Sequence, residues 1–290
     1  MNRELAILQY ADYAEKIEYG CSSLYLMINR QIEDYPGLFG FCQLSDDFEE
    51  WKELFARTEQ RAKEMGLKTL TGPVNYTTWM SYRWAISGFE RRLFPDCENP
   101  PYYIDYIRRL GYGELYTYRS ADILMENPLY AAGKEIYEQK LREGVVFRRC
   151  HGEEVYQFTR EVYDISVNAF AGSYLYSPIS YEAFEQIYTI WTRQVELDMF
   201  IAYIDGKAVG YVMGYPYKDM YISKTSAVIK ELQKHKLYLA LLYAGCAYVR
   251  GLGYEKMLYH FQCEQRKTFR RFDSQIESNE KRYAVFSKEL

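Results

Sequence analysis

Apolar and polar positions along this chain alternate between two periods. Phe48, Trp51, Leu54, Phe55 and Ala62 recur at helical spacing after Asp46-Asp47, which predicts a helix through Met65, closed by Gly66. Aspartates at its start suit the positive end of a helix dipole, and a glycine just past its end suits termination. Short apolar runs at residues 25–28, 38–42 and 69–70 read as strands around it. Glu98-Asn99-Pro100-Pro101 then leads into an apolar-aromatic run that stops at Leu110-Gly111. Prolines at the entry, a glycine at the exit and Asn99 as N-cap predict a second helix. Residues 120–144 read as a helical connector.

The second half has its own order of elements. Residues 145–148 predict a strand, and residues 153–169 a helix with Val155, Phe158, Val162 and Ile165 on its apolar face. Ser180 opens another helix. Residues 199–203 and 208–215 predict a hairpin across Asp205-Gly206, a strong turn signal. A strand at 220–229 follows, then an apolar helix at 237–250 ended by Gly251-Leu252-Gly253-Tyr254, then a strand at 257–261. Residues 281–287 alternate as a closing strand should.

The stretch from Val228 to Leu242, between that strand and that helix, is the most informative. Its setting resembles the acyl-CoA-binding core of the GNAT acetyltransferases. In that family the turn reads Gln/Arg-x-x-Gly-x-Gly/Ala, and its amides cradle the coenzyme A pyrophosphate at a helix N-terminus. Gln233 matches the first position, whereas Lys236 and Tyr238 stand at the two glycine positions. In the first half, Gly72-Pro73-Val74-Asn75, then Asn99-Pro100-Pro101-Tyr102-Tyr103, then Leu110-Gly111-Tyr112 resemble a bacterial group of two-lobed GNAT-like proteins. The first lobe of that group lacks a recognisable coenzyme A loop, and residues 37–75 here show no glycine-rich turn.

The resemblance implies an α/β (α+β) fold of two GNAT-like lobes, each a mixed, mostly antiparallel sheet flanked by helices. The lobes would span residues 1–119 and 145–290, joined by the connector at 120–144. The first lobe is expected not to bind coenzyme A, and instead to support the fold and wall the acceptor pocket. In the second lobe, the strand residues Ser226, Ala227 and Val228 would pair through their backbone with the pantetheine arm. Gln233, Lys234, His235, Lys236, Leu237 and Tyr238 would hold the phosphates. Glu231 and Glu264 are the candidate bases, and Tyr259 the candidate donor to the leaving thiolate. His260 reads as a structural histidine. Gly172, Tyr174 and Tyr176 would shape the acceptor side.

The implied function is acyl transfer from acetyl-CoA, or another acyl-CoA, to the amine of a small molecule or peptide, by direct attack on the thioester. Loss of both glycines keeps a second reading open, a GNAT-like ligand-binding protein without catalysis. An amino-acid transferase acting on cell-wall precursors is a third; it usually carries a coiled-coil insertion, and no heptad run is visible here.

Composition narrows the remaining choices. A net charge of −4 over 290 residues gives no general attraction to nucleic acid or anionic membrane. The basic clusters Arg91-Arg92, Arg148-Arg149 and 266–271 are short. The six cysteines stand at no metal-ligand spacing and suit a reducing compartment. No Ser-His-Asp order, metal cluster or Walker loop is present. Residues 1–20 lack a signal-peptide core, and the longest apolar run falls short of the roughly 20 residues that span a bilayer. The expectation is a cytoplasmic protein with no metal, membrane or nucleic-acid partner; a homodimer stays open.

Overall fold

Asp47 accepts hydrogen bonds from the backbone N–H of Glu49 and Glu50, and so caps helix α1 (Phe48–Glu64) where the sequence places it. Trp51, Leu54, Phe55 and Ala62 turn inward on one face of that helix and are fully buried. The computed structural model describes residues 3–96, 98–125, 128–265 and 280–290. Cys97, Asn127 and the basic run 266–271 lie outside the described residues.

Before α1 come three strands, β1 (Tyr13–Tyr19), β2 (Ser22–Ile28) and β3 (Gly37–Gln43). After it come β4 (Thr69–Gly72), β5 (Trp84–Ser87), helix α2 (Tyr102–Arg109) and the long strand β6 (Gly113–Leu124). Helix α3 (Pro128–Arg142) leads to β7 (Val146–His151), α4 (Thr159–Phe170) and α5 (Tyr181–Thr192). Then follow β8 (Asp198–Ile204), β9 (Lys207–Tyr217), β10 (Met220–Val228), α6 (Leu237–Gly251), β11 (Lys256–Cys263) and β12 (Lys281–Glu289).

Eleven of these strands lie in the order β1-β2-β3-β4-β12-β6-β11-β10-β9-β8-β7, and β5 pairs with β12 beside them. Two neighbouring pairs are parallel, β3 with β4 and β10 with β11. Each parallel pair is bridged by one helix, α1 or α6, so the chain contains two equivalent strand-helix-strand crossovers. The remaining pairs are antiparallel, and helices cover both crossovers.

The two halves exchange their last strands. β6 closes the first half but lies against β11, and β12 closes the second but lies against β4. β6 and β12 also pair with each other, from Lys281 opposite Ser120 to Ser287 opposite Gly113. Residues Tyr283 to Phe286 are fully buried on both faces of the sheet. Ala284 and Phe286 pack into the cluster under α1 and α2, while Tyr283 and Val285 pack on the other side with Val74 and Tyr118.

Several expectations change. The strands form one continuous sheet rather than a separate sheet per lobe, because β6 and β12 join the halves edge to edge. Residues 120–124 are strand, not helix: Ser120 and Asp122 bury their polar groups in the seam, and a helix begins only at α3. Asn99 does not cap α2. Its side chain instead pairs with the backbone of Ala85, accepting at 2.7 Å and donating at 3.1 Å, and Pro101 occupies the cap position. The helix expected from residue 153 starts as a 3-10 turn (Gly152–Phe158) before α4. Strands β1 and β5 and the first part of β6 were not expected. No helix among the described residues is long and apolar enough to cross a membrane.

Candidate active site

The two crossovers share a plan but differ where a ligand would enter. In both, the parallel strands pair over only two residues and then splay apart: Gly37 and Leu38 with Leu70 and Thr71, and Ile222 and Ser223 with Leu258 and Tyr259. In the first, the chain itself fills the splay. Val74 N–H donates to Phe39 O at 2.8 Å, and Phe41 N–H donates to the Asn75 side chain at 2.7 Å. In the second, residues 225–227 bond to β9 on one side, and among the described residues no group bonds their other edge.

The helix N-termini differ in the same sense. α1 is plugged by the Asp47 carboxylate and carries Glu49 and Glu50 in its first turn, so an anion there meets like charge. α6 has no side-chain cap and no acid in its first turn. It is preceded by a 3-10 turn (Lys230–His235) whose last residues, Lys234 and His235, are exposed, as is Lys236 after it. Lys236 adopts φ 60° and ψ 8°, the left-handed conformation that glycine favours. The backbone of the turn thus keeps the glycine-like bend without glycine. Gln233 ties the turn to the strand by donating to Val228 O at 3.2 Å, and Asn168 accepts from Lys230 N–H at 2.8 Å.

The open splay leads into a cavity of about 480 Å³. One wall is Ser223 to Ser226, Tyr238 and Tyr259. The opposite wall comes from the loop before β5, with Thr78, Trp79, Tyr82 and Arg83, and from Tyr116 and Tyr118 on β6. The first half therefore forms part of the cavity wall. Its loop is held against the second half by Thr77 Oγ1 and Ser177 Oγ, 3.0 Å apart, and by Trp79 Nε1 donating to Ser177 O at 2.9 Å.

Charge in this cavity has one sign. Arg83 and Lys224 line it, and among the described residues no Asp or Glu does. His260 also lines it, with Nδ1 2.7 Å from Ser120 Oγ and Nε2 2.8 Å from Pro95 O. The carbonyl can only accept, so Nε2 carries the proton and Nδ1 accepts from the serine. Burial first, and then the nearby Lys224, hold its pKa well below the usual 6.5, so it is neutral. Three further groups have buried polar atoms with no partner among the described residues: Arg83 Nη1, Tyr188 Oη and both amide atoms of Gln262. Each such atom costs about 1–3 kcal/mol when left unpaired. All three residues line the cavity, and each is more than nine-tenths buried.

The sequence-predicted residues are distributed unevenly around it. Gly172, Tyr174 and Tyr176 line the cavity; Tyr174 stacks on Tyr116 with ring centres 3.9 Å apart. Ser226 and Tyr238 line it too, while Ala227, Val228 and Leu237 are buried in the strand and helix beside it. Tyr259 reaches it, with its hydroxyl 3.5 Å from Cys246 Sγ and its pKa raised by burial. Glu231 is exposed in the 3-10 turn, outside the lining. Glu264 is also outside it and pairs with Arg282 at 2.9 Å. The structure does not bring the two carboxylates together with Tyr259. Arg83, Lys224 and Gln262 were missed. A lone arginine within Trp79-Met80-Ser81-Tyr82-Arg83-Trp84 was the available signal for the first, since a cation inside an aromatic stretch needs an unusual environment.

Comparison with solved structures decides the fold. Over its whole length the chain superposes on 88% of a tandem GNAT protein from the clavulanic acid biosynthesis pathway, solved without AcCoA, at 13% identity and a TM-score of 0.54. This protein has a tandem GNAT-like fold. The tandem GNAT-like chain also matches a GCN5-related glucosamine N-acetyltransferase region in a fungal multi-domain GH3 β-N-acetylglucosaminidase. There the TM-score is 0.52 and the identity 11%, over 99% of this chain and 34% of the other. A GCN5-related N-acetyltransferase from Sphaerobacter thermophilus aligns with 92% of this tandem GNAT-like chain and 76% of its own, at 13% identity and a TM-score of 0.48. No protein-family model matches the sequence, and no curated protein does.

Proposed function

We propose that the second half binds an acyl-CoA and transfers its acyl group to an amine held in the cavity. The observation that carries this reading is the contrast between the two crossovers. One splay is filled by Val74 and Asn75 and its helix is capped by Asp47. The other splay is open, and its helix is uncapped and flanked by lysines. An extended pantetheine arm is suited to pair with the bare edge at 225–227, and the phosphates are suited to the uncapped α6 N-terminus. Lys234 and Lys236 add point charges there.

The thioester would then lie near Ser223 to Ser226 and Tyr259, at the mouth of the cavity. The amine lone pair attacks the carbonyl, the C–N bond forms, the C–S bond breaks, the thiolate leaves, and the surplus proton on nitrogen passes to water. Tyr259 is protonated because burial raises its pKa, so it can donate to that thiolate. Among the described residues no carboxylate lines the cavity to act as base. Arg83 and Lys224 provide an alternative, because neighbouring positive charge lowers the pKa of an ammonium group. The acceptor amine then loses its proton to water on entering.

A second reading, a ligand-binding protein without catalysis, is favoured by Tyr238, whose side chain lines the cavity at the second glycine position. Titration calorimetry with acetyl-CoA and CoA separates the two. Binding is expected for the parent, weakening with salt as exposed charges are screened over about 8 Å at physiological ionic strength. The Lys234→Ala/Lys236→Ala variant is expected to bind about tenfold more weakly, the scale of one charge-assisted hydrogen bond, with its melting temperature unchanged. Absence of binding at millimolar acetyl-CoA sinks the acyl-transfer reading.

A further inference from the structure

Arg83 and Lys224 share one ring. The Arg83 guanidinium lies 4.1 Å from the centre of Phe261, and Lys224 Nζ lies 4.9 Å from it. Their charges are therefore no farther apart than those two distances combined. Tyr82 and Tyr118 also face the guanidinium, at 3.7 and 4.1 Å. Three lysine or arginine side chains are buried among the described residues. Two have carboxylate partners, Arg91 with Asp122 at 2.5 Å and Lys281 with Asp96 at 2.6 Å. Arg83 has none: its Nε donates to Tyr82 O at 2.8 Å, and Nη1 is left over. Gln262, next to Phe261 and only 3% exposed, has both amide atoms left over.

The backbone shows the same concentration. Arg83 and Phe261, in contact through cation and ring, both take positive φ, 83° and 56°. Bulky residues are held there only against a steric penalty, and such strain gathers at ligand sites. A buried guanidinium with an unpaired nitrogen, an unpaired amide and two strained backbones line one cavity. Among the described residues no carboxylate pairs with that guanidinium.

We infer that this part of the cavity is an anion subsite, in which Arg83, Lys224 and Gln262 hold a carboxylate or phosphate carried by the acceptor. The rest of the acceptor is flat and apolar, since the adjoining wall is the Tyr116–Tyr174 stack with Trp79 and Phe170. Calling the ligand an acceptor rests on the acyl-transfer reading; the subsite itself does not.

Calorimetry on the full chain tests it with three probes: 3-phenylpropionate, its neutral amide 3-phenylpropanamide, and 2-phenylethyl phosphate. At least one anionic probe is expected to bind ten times tighter than the amide, and the tighter of the two identifies the anion. Lys224→Met and Arg83→Met should each erase that preference, and Arg83→Lys should restore part of it. Lys224 is only partly buried, so its variant remains informative if Arg83→Met fails to fold. Equal affinity for anion and amide overturns the subsite. So does a preference that survives in Lys224→Met, or no anion binding at about 10 mM, well above the millimolar Kd that a weak ligand would show. Acetyl-CoA titrated in parallel keeps the two ideas apart. Anion binding without acetyl-CoA binding upholds the subsite and removes the acyl-transfer reading alone.

Discussion

Replacing Phe286 by alanine should destabilise the whole molecule and not only the half whose core it fills. Phe286 is fully buried, pairs with Gly72 across the sheet, and packs against Trp84 with ring centres 6.2 Å apart. Its neighbours in that cluster include Phe39, Phe55 and Ile107, all on elements of the first half. Truncating a buried phenylalanine costs about 3–5 kcal/mol, a large share of the roughly 5–15 kcal/mol typical of a folded domain. With a urea slope of about 3 kcal/mol/M, the midpoint should fall by roughly 1–2 M. Two probes report on different parts. Tryptophan fluorescence weights the first half, which holds Trp51, Trp79 and Trp84, against Trp191 alone in the second. Far-ultraviolet circular dichroism reports on the entire chain. Because β12 belongs to the second half and pairs with both β4 and β6, both signals should shift together in one transition. A loss below about 1 kcal/mol would refute the packing argument, since buried truncations that small are atypical. A fluorescence transition that moves while a separate dichroism transition stays fixed would refute the coupling.

Two further outcomes follow from buried polar groups. Burial keeps folded His260 neutral well below the usual 6.5, whereas the unfolded chain protonates it near that value. The unfolded state therefore binds more protons as pH falls below about 6.5, and stability should drop in that window. Melting temperatures from about pH 5 to 8 should show a shallower acid slope for His260→Gln, and an unchanged slope would discount the histidine. Lys281→Met removes the ammonium group that pairs with Asp96, where both side chains are almost wholly buried, and should cost about 3–5 kcal/mol. Lys281→Met combined with Asp96→Asn should recover most of that loss in denaturant melts; strictly additive losses would mean the pair does not act as a pair.

How far the sequence reveals this structure depends on the range of the interaction. Helices α1 and α6 were legible because apolar spacing and local end signals define them within a few residues. β1 was not, because Glu15, paired with Arg61, stands on its half-buried face between Tyr13 and Ile17 and breaks the apolar alternation, while Lys16 and Glu18 face outward as befits an edge strand. The pairing of β6 with β12 joins residues as far apart as Ser120 and Lys281, and no local pattern announces a partner at that distance. The same division holds at the cavity. Gly172, Tyr174 and Tyr176 could be placed by their position after α4. Arg83, Lys224 and Gln262 acquire their meaning from what surrounds them in space, above all from what fails to pair with them.

The strand exchange also sets a clock on synthesis. Thr71 of β4 meets Ser287 of β12, 216 residues later in the chain. At about 5–20 residues per second, the ribosome leaves β4 without its neighbour for roughly 10–40 s. Throughout that interval the edge of β4 is an unpaired template open to other strands. The first half is thus made first and finished last, and any factor that shelters nascent strand edges has most to do here before β12 arrives.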